Sequence, residues 1–149
     1  FNFRMTNLQA AVGVAQLKKI NFFLKKRRKI FKNYDLLFKD CKSISLLPKN
    51  KWSTNSCWIY TILIKNFGEK KRDKLMKALN AKGIETRPLY IPLPYLPPYR
   101  QENIIEENLR EMFHNSFKLS YDAMYLPSST DITDDAIDEV CDAIKNCSA

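Results

Sequence analysis

Glycine is scarce. Only Gly13, Gly68 and Gly83 occur in 149 residues, so neither a GxGxxG dinucleotide turn nor a glycine-rich phosphate loop can be built. His114 is the single histidine. It has no obvious serine or cysteine nucleophile beside it, which argues against a catalytic triad. The four cysteines, Cys41, Cys57, Cys141 and Cys147, show no C-x-x-C spacing, and no metal site is expected from them. Cys57 lies inside an apolar, strand-like run and is expected as a buried free thiol. That usage points to a reducing cytoplasm. No apolar run approaches the roughly 20 residues that cross a bilayer, and no secretory signal pattern is present. Neither a membrane span nor a membrane partner is expected. An initiating Met is missing too, and Phe1 looks like a start partway into a longer protein.

What is present suits one domain: 45% hydrophobic and 12% aromatic residues are enough for a core. The formal charge is +9, which raises nucleic acid or an acidic surface as a partner. Lysine outnumbers arginine 18 to 7, however, whereas phosphate and base readout favour arginine. The bias is that of a low-GC genome. A solvated basic surface is the preferred reading, and no nucleic-acid partner is expected. The acid-free stretch from Lys18 to Lys32 still motivates an alternative, a non-enzymatic basic binding or dimerisation module.

The first twenty residues organise the rest. Thr6 followed by Gln9 forms a capping box, with Asn2 and Arg4 in the irregular segment ahead of it, free to face a ligand. Ala10, Ala11, Gly13 and Ala15 keep the first turns thin, so another surface can approach. From Thr6 to about Phe38 the pattern predicts one long helix. Leu17, Ile20, Leu24, Phe31, Tyr34 and Phe38 mark its apolar stripe, and Lys18, Lys25, Lys29 and Lys32 fall opposite. Arg27 lies within the stripe and must snorkel or find an acidic partner. A helix of about thirty residues is long for such a domain unless it also serves an interface.

Residues 39–55 read as a connection. Ser56–Lys65 is the clearest strand and is expected to be central. Asn66, Phe67 and Gly68 turn the chain into a helix over about Lys70–Lys82, which Gly83 stops. Ile84–Pro88 starts a second strand. Five prolines between Pro88 and Pro98 then forbid regular structure, leaving a stiff connection or a pre-shaped ligand loop. Helical character returns over Glu106–Leu119, with His114 structural. Tyr125–Ser129 predicts a short edge strand, and Thr133 caps a last helix with Asp134 and Asp135 at its dipole. The residues alone carry no catalytic set. Asn2, Arg4, Arg87, Tyr90 and Tyr95 suit an anionic or sugar-like ligand, and the sum is a soluble α+β module.

Phe1-Asn2-Phe3-Arg4-Met5-Thr6-Asn7-Leu8-Gln9-Ala10-Ala11-Val12-Gly13 closely resembles the GYNYRMTNLQAAIG stretch of the DegT/DnrJ/EryC1/StrS family. The similarity continues through Gln16-Leu17, Arg27-Arg28, the run from Arg72 to Pro88, Pro97-Pro98-Tyr99, and the run from Leu126 to Asp134. Members are pyridoxal-phosphate aminotransferases that act on nucleotide-linked keto sugars in amino-sugar and polysaccharide biosynthesis, including lipopolysaccharide.

The resemblance implies the small C-terminal domain of a fold-type I transferase. Residues 1–38 would be a long interface helix leading from the large domain. Residues 39–149 would be an α+β unit with a three-stranded, largely antiparallel sheet and flanking helices. The Schiff-base lysine of the family belongs to the large domain, so no catalytic residue can be assigned and the chain alone is expected to be inactive. Asn2 matches the family asparagine that reaches the cofactor phosphate of the other subunit of a homodimer, and Arg4 would support it. Arg87 and Tyr90 match the segment bordering the sugar-nucleotide site. There Pro94 stands where the family carries histidine, which removes a donor. Glutamate is the implied amino donor.

Overall fold

A computed structural model describes residues 3–65, 68–99 and 106–148. Asn2, Asn66 and Phe67 lie outside the described residues. Thr6 starts the first helix as its sequence predicts. Its hydroxyl accepts from the Gln9 amide at 3.3 Å, and the Gln9 side chain accepts from the Thr6 amide at 2.9 Å, completing a capping box for α1 (Asn7–Leu17).

The single long helix does not hold. The chain turns at Lys18 and Lys19 and α2 (Ile20–Phe38) begins afresh. At the turn the Lys19 amide bonds the Gln16 carbonyl, only three residues back, at 3.0 Å. A tightened turn of this kind interrupts the four-residue ladder without a glycine or proline. No residue of α1 is buried, whereas α2 buries Ile30, Phe31, Tyr34 and Phe38.

The sheet has four strands, not three: β1 (Ile44–Ser45), β2 (Tyr60–Ile64), β3 (Arg87–Pro88) and β4 (Ala123–Leu126), in the order β1-β2-β4-β3. Every neighbouring pair is antiparallel. β2 is interior, as expected from its β-branched and aromatic run, and Tyr60, Ile62 and Ile64 alternate into the core. It is shorter than the Ser56–Lys65 run, and Cys57 lies ahead of it, buried, with φ of 56°. The edge assignment of the Tyr125 strand is overturned. β4 starts two residues earlier, at Ala123, and is bonded on both sides, to β2 and β3. Pro127 follows the last paired residue, Leu126, and costs the ladder nothing. β1 falls inside the stretch expected to be a plain connection.

Helices α3 (Gly68–Asn80), α4 (Glu106–Met112), α5 (His114–Asp122) and α6 (Asp134–Ser148) complete the described chain. Gly83 follows α3 with φ of 78°, the left-handed conformation expected of a helix-stopping glycine. The core lies between the sheet, α2, α3 and α6. At its centre the Tyr34 and Tyr60 rings stack with centroids 4.5 Å apart. Each phenol is satisfied: Tyr34 donates to the Pro127 carbonyl at 2.7 Å, and Tyr60 to the Asp35 carboxylate at 2.8 Å.

Two tethers fix the periphery. Asp134 accepts from Lys29 at 2.6 Å and from Asn33 at 2.7 Å, joining the start of α6 to α2. Arg72 of α3 is buried; its guanidinium donates to the Ser120 and Tyr121 carbonyls of α5 and to Asp73 at 2.8 Å. Arg27, expected to snorkel or to find an acidic partner, donates to the Trp58 carbonyl.

Candidate functional site

β3 is a two-residue strand at the sheet edge, and it carries Arg87. Glu85 and Arg87 are two positions apart, so in extended chain they share a face. The Arg87 guanidinium donates to Glu85 Oε1 at 2.8 and 3.1 Å. Both side chains are about three-quarters exposed, at 76% and 73%, and an exposed pair of this kind contributes only about 0.2–1 kcal/mol. Arg87 can therefore exchange the carboxylate for a stronger anion at little cost.

The ladder places Tyr90 beside it. Arg87 pairs with Tyr125 across the strands, and the Leu89 amide extends the edge by bonding the Ala123 carbonyl at 3.3 Å. The exposed Tyr90 ring then meets Tyr125 edge-on, with centroids 5.5 Å apart. Burial, followed by the neighbouring Tyr90 hydroxyl, pushes the Tyr125 phenol above its ordinary value, so it stays a neutral donor at physiological pH. Arg87 and Tyr90 are thus brought together, with Tyr125 as the link.

Glu85, Thr86, Arg87, Tyr125, Ser128 and Ser129 contribute to one groove of about 390 Å³. The Thr86 hydroxyl is buried and has no hydrogen-bond partner among the described residues, an unsatisfied group of the kind a polar ligand relieves. Sequence reasoning missed Glu85, Thr86, Tyr125 and Ser128. The Glu-Thr-Arg alternation was a usable signal for the first two, whereas Tyr125 and Ser128 reach the groove only through strand pairing. In the proline segment, Pro94 sits within a 3₁₀ turn, Leu93–Tyr95, followed by a second, Pro97–Tyr99. The Tyr95 ring packs edge-on against Phe117 at 5.1 Å, which makes it a brace more than a contact residue.

At the other end, Arg4 is exposed two residues before the capping Thr6. It is not among the residues lining the groove, and Asn2 lies outside the described residues. Lys29 and Lys26 of the basic stretch face acids on the far side of the chain, with Lys26 3.9 Å from Asp131. The acid-free run is therefore partly neutralised by the fold. All four cysteines are free thiols, with Cys57 and Cys141 buried, and no group of metal-binding side chains occurs among the described residues. No described helix is long and apolar enough to cross a membrane.

A sugar aminotransferase from Streptococcus pneumoniae, solved in its PMP form, superimposes with a TM-score of 0.86 at 23% identity, over 97% of this chain and 35% of that one. The sequence profile of the DegT/DnrJ/EryC1/StrS aminotransferase family matches residues 1–145. The chain belongs to that family, as the motifs implied.

Among relatives, GDP-perosamine synthase of Vibrio cholerae is 34% identical over 151 residues, covering 98% of this chain and 38% of that protein. A Bacillus subtilis protein described as a pyridoxal phosphate-dependent aminotransferase is 28% identical over 135 residues, covering 90% of this chain and 34% of its own length. The cofactor expectation agrees with these descriptions. The chain spans little more than a third of the length of the relatives it matches.

Proposed function

We propose that this chain is the C-terminal portion of a pyridoxal phosphate-dependent aminotransferase that moves an amino group, from glutamate, onto a nucleotide-linked keto sugar. The observation that carries the reading is the family match over residues 1–145. Its substrate side rests on the edge groove at Arg87, where a guanidinium and the Tyr125 phenol lie beside an unpaired threonine hydroxyl, with the exposed Tyr90 ring adjoining through Tyr125. Arg87 would bind a nucleotide phosphate in place of Glu85, and Tyr90 would cover the sugar or its pyrophosphate. The proposed activity sits in the cytoplasm, where nucleotide sugars are made.

The donor set at the amino-terminal end suits the cofactor phosphate. Arg4 is exposed, two residues ahead of the Thr6 cap. Asn2 and Arg4 would hold the phosphate of pyridoxal phosphate, Asn2 as a neutral donor and Arg4 as a charge. Bound there, the cofactor supplies the electron sink for amino transfer. The roles of this chain are to bind, orient and screen. Because α1 buries nothing of its own, we assign the helix to an interface, with the site shared between the subunits of a homodimer.

The test uses a protein of the relatives' length that carries this chain, supplied with pyridoxal phosphate, glutamate and a GDP-linked keto sugar. Amino-sugar formation is expected, and Arg87→Ala should raise KM for the sugar nucleotide about tenfold, one charge-assisted contact, with kcat little changed. No amino sugar, or an unchanged KM, overturns the assignment. The 149 residues alone, mixed with pyridoxal phosphate, should show neither turnover nor the absorbance of a lysine-bound cofactor. A borohydride-reducible lysine adduct with turnover would contradict the fragment reading.

The second reading, a basic binding module, keeps one observation: Arg28 and Lys32 form no ion pair among the described residues. Steeply salt-dependent retention on nucleic acid would favour it.

A further inference from the structure

A second cavity is larger than the groove at Arg87. It lies at the opposite edge of the sheet, between α2 and the loop that runs from β1 to β2, and has a volume of about 730 Å³. That falls within the about 300–1,000 Å³ usual for small-molecule pockets.

Its two walls differ. Arg28, Lys32, Asp35 and Lys39 stand at steps of four, three and four along α2, so the helix presents them on one face. Asp35 is the one acid among the lining residues, and it is already engaged. It accepts from the Tyr60 phenol at 2.8 Å, and its other oxygen is 2.8 Å from Lys49 Nζ. The pair with Asp35 pushes the Lys49 ammonium above its ordinary pKa, so Lys49 stays charged. Lys39 has only a long contact, 3.9 Å, with exposed Asp40. Arg28 and Lys32 remain without an acidic partner among the described residues. Like charges one helical turn apart repel, and the fold has left this pair facing a cavity. The loop side offers apolar Leu46, Leu47 and Pro48 together with polar Asn50, Ser53, Thr54 and Asn55, and Phe31 and Leu36 of α2 add apolar surface on the helix side.

We propose that this cavity is a second ligand site, which takes a phosphorylated small molecule of nucleotide size with its phosphates on Arg28 and Lys32 and its apolar or aromatic part against Phe31, Leu46 and Leu47. Lys39 lies one further step along the same face and extends the cationic strip. Asp35 and Lys49 close the site as a neutral pair that anchors the loop. The proposal does not depend on the groove at Arg87 or on the activity proposed above, since it rests on side chains of α2 and the β1–β2 loop, at the other edge of the sheet.

The experiment is calorimetric titration of the 149-residue chain with ADP and, separately, with inorganic pyrophosphate, at low salt. In an Arg87→Ala background, which removes the phosphate contact proposed for the edge groove, ADP should bind saturably at one site and more tightly than pyrophosphate, because only ADP can use the apolar lining. Arg28→Ala and Lys32→Ala, both at exposed positions and so harmless to folding, should each weaken ADP binding about tenfold, the value of one charge-assisted contact. Circular dichroism of each variant confirms that the fold is intact. Absence of saturable ADP binding in the Arg87→Ala background, indifference to both α2 substitutions, or equal affinity for pyrophosphate would each overturn the proposal.

Discussion

Single side chains decide how the periphery of this domain is held. Arg72 is buried on α3 but donates to two backbone carbonyls at the end of α5 and to Asp73, with Glu69 3.6 Å away. Those carbonyls close the last turn of α5, where the helix has no amides of its own to offer. Arg72→Met keeps the aliphatic stem and removes the fork. It should cost about 2–3 kcal/mol, the penalty of stranded polar groups, measured by urea denaturation. Arg72→Lys should recover part of this, because an ammonium reaches one carbonyl but not all partners.

The buried phenols and thiol predict a second behaviour at this scale. Burial pushes the Cys141 thiol up to about 12 and raises both Tyr34 and Tyr60 further. In the unfolded chain these groups ionise near about 8.5 and 10. Above about pH 8.5 the unfolded state therefore sheds protons that the native state keeps, and stability falls as pH rises, by up to about 1.4 kcal/mol per pH unit per group. Below that window the three groups contribute no pH dependence. Denaturation midpoints measured from pH 7 to 11 should decline from about pH 8.5, and Cys141→Ala should make the decline between about pH 8.5 and 10 shallower, the buried Cys57 thiol, also pushed up by burial, supplying what remains of it. A flat profile to pH 11 would contradict it.

The secondary-structure elements show what local chemistry reveals and what it hides. The capping box at Thr6, the interior strand at Tyr60, the stop at Gly83 and the caps at Thr133 were all legible, because each follows from one or two residues acting on nearby backbone. The break at Lys18 and Lys19 was not. Apolar periodicity continues across it, and a tightened turn needs no special residue. β1 was hidden because two residues are too few to establish alternation. β4 was misplaced because its bonding on both flanks is a tertiary fact that a short run of residues does not announce.

The candidate site divides the same way. Arg87 and Tyr90 were visible as rigid polar groups near prolines. Their convergence depends on Tyr125, almost forty residues on, and no local pattern announces that. Asp134 makes the same point. It was expected only as a helix-dipole charge, yet it also joins α6 to α2 through Lys29 and Asn33.

At the scale of the whole molecule, α1 stands apart. A helix that is apolar on all sides is normally one that is buried, and α1 offers Leu8, Val12, Val14 and Leu17 around its circumference with each more than half exposed. Phe3 and Met5 lie just ahead of it, at 91% and 74% exposure. An 11-residue helix without tertiary packing is marginal in water, and the capping box adds only about 1 kcal/mol. Its order and its cover should therefore arrive together. At low concentration, amide exchange in α1 should be close to unprotected, while Ile30–Phe38 of α2 exchanges slowly. At tens of micromolar, light scattering should give a mass above the monomer's, and α1 should gain protection over the same concentration range. Leu8→Ser with Val12→Ser should abolish both changes without moving the denaturation midpoint, since neither side chain touches the core. If association proceeds while α1 stays unprotected, the contact lies elsewhere. If the chain is monomeric throughout, the apolar strip is not an interface between copies, and the homodimer proposal loses its support from this helix.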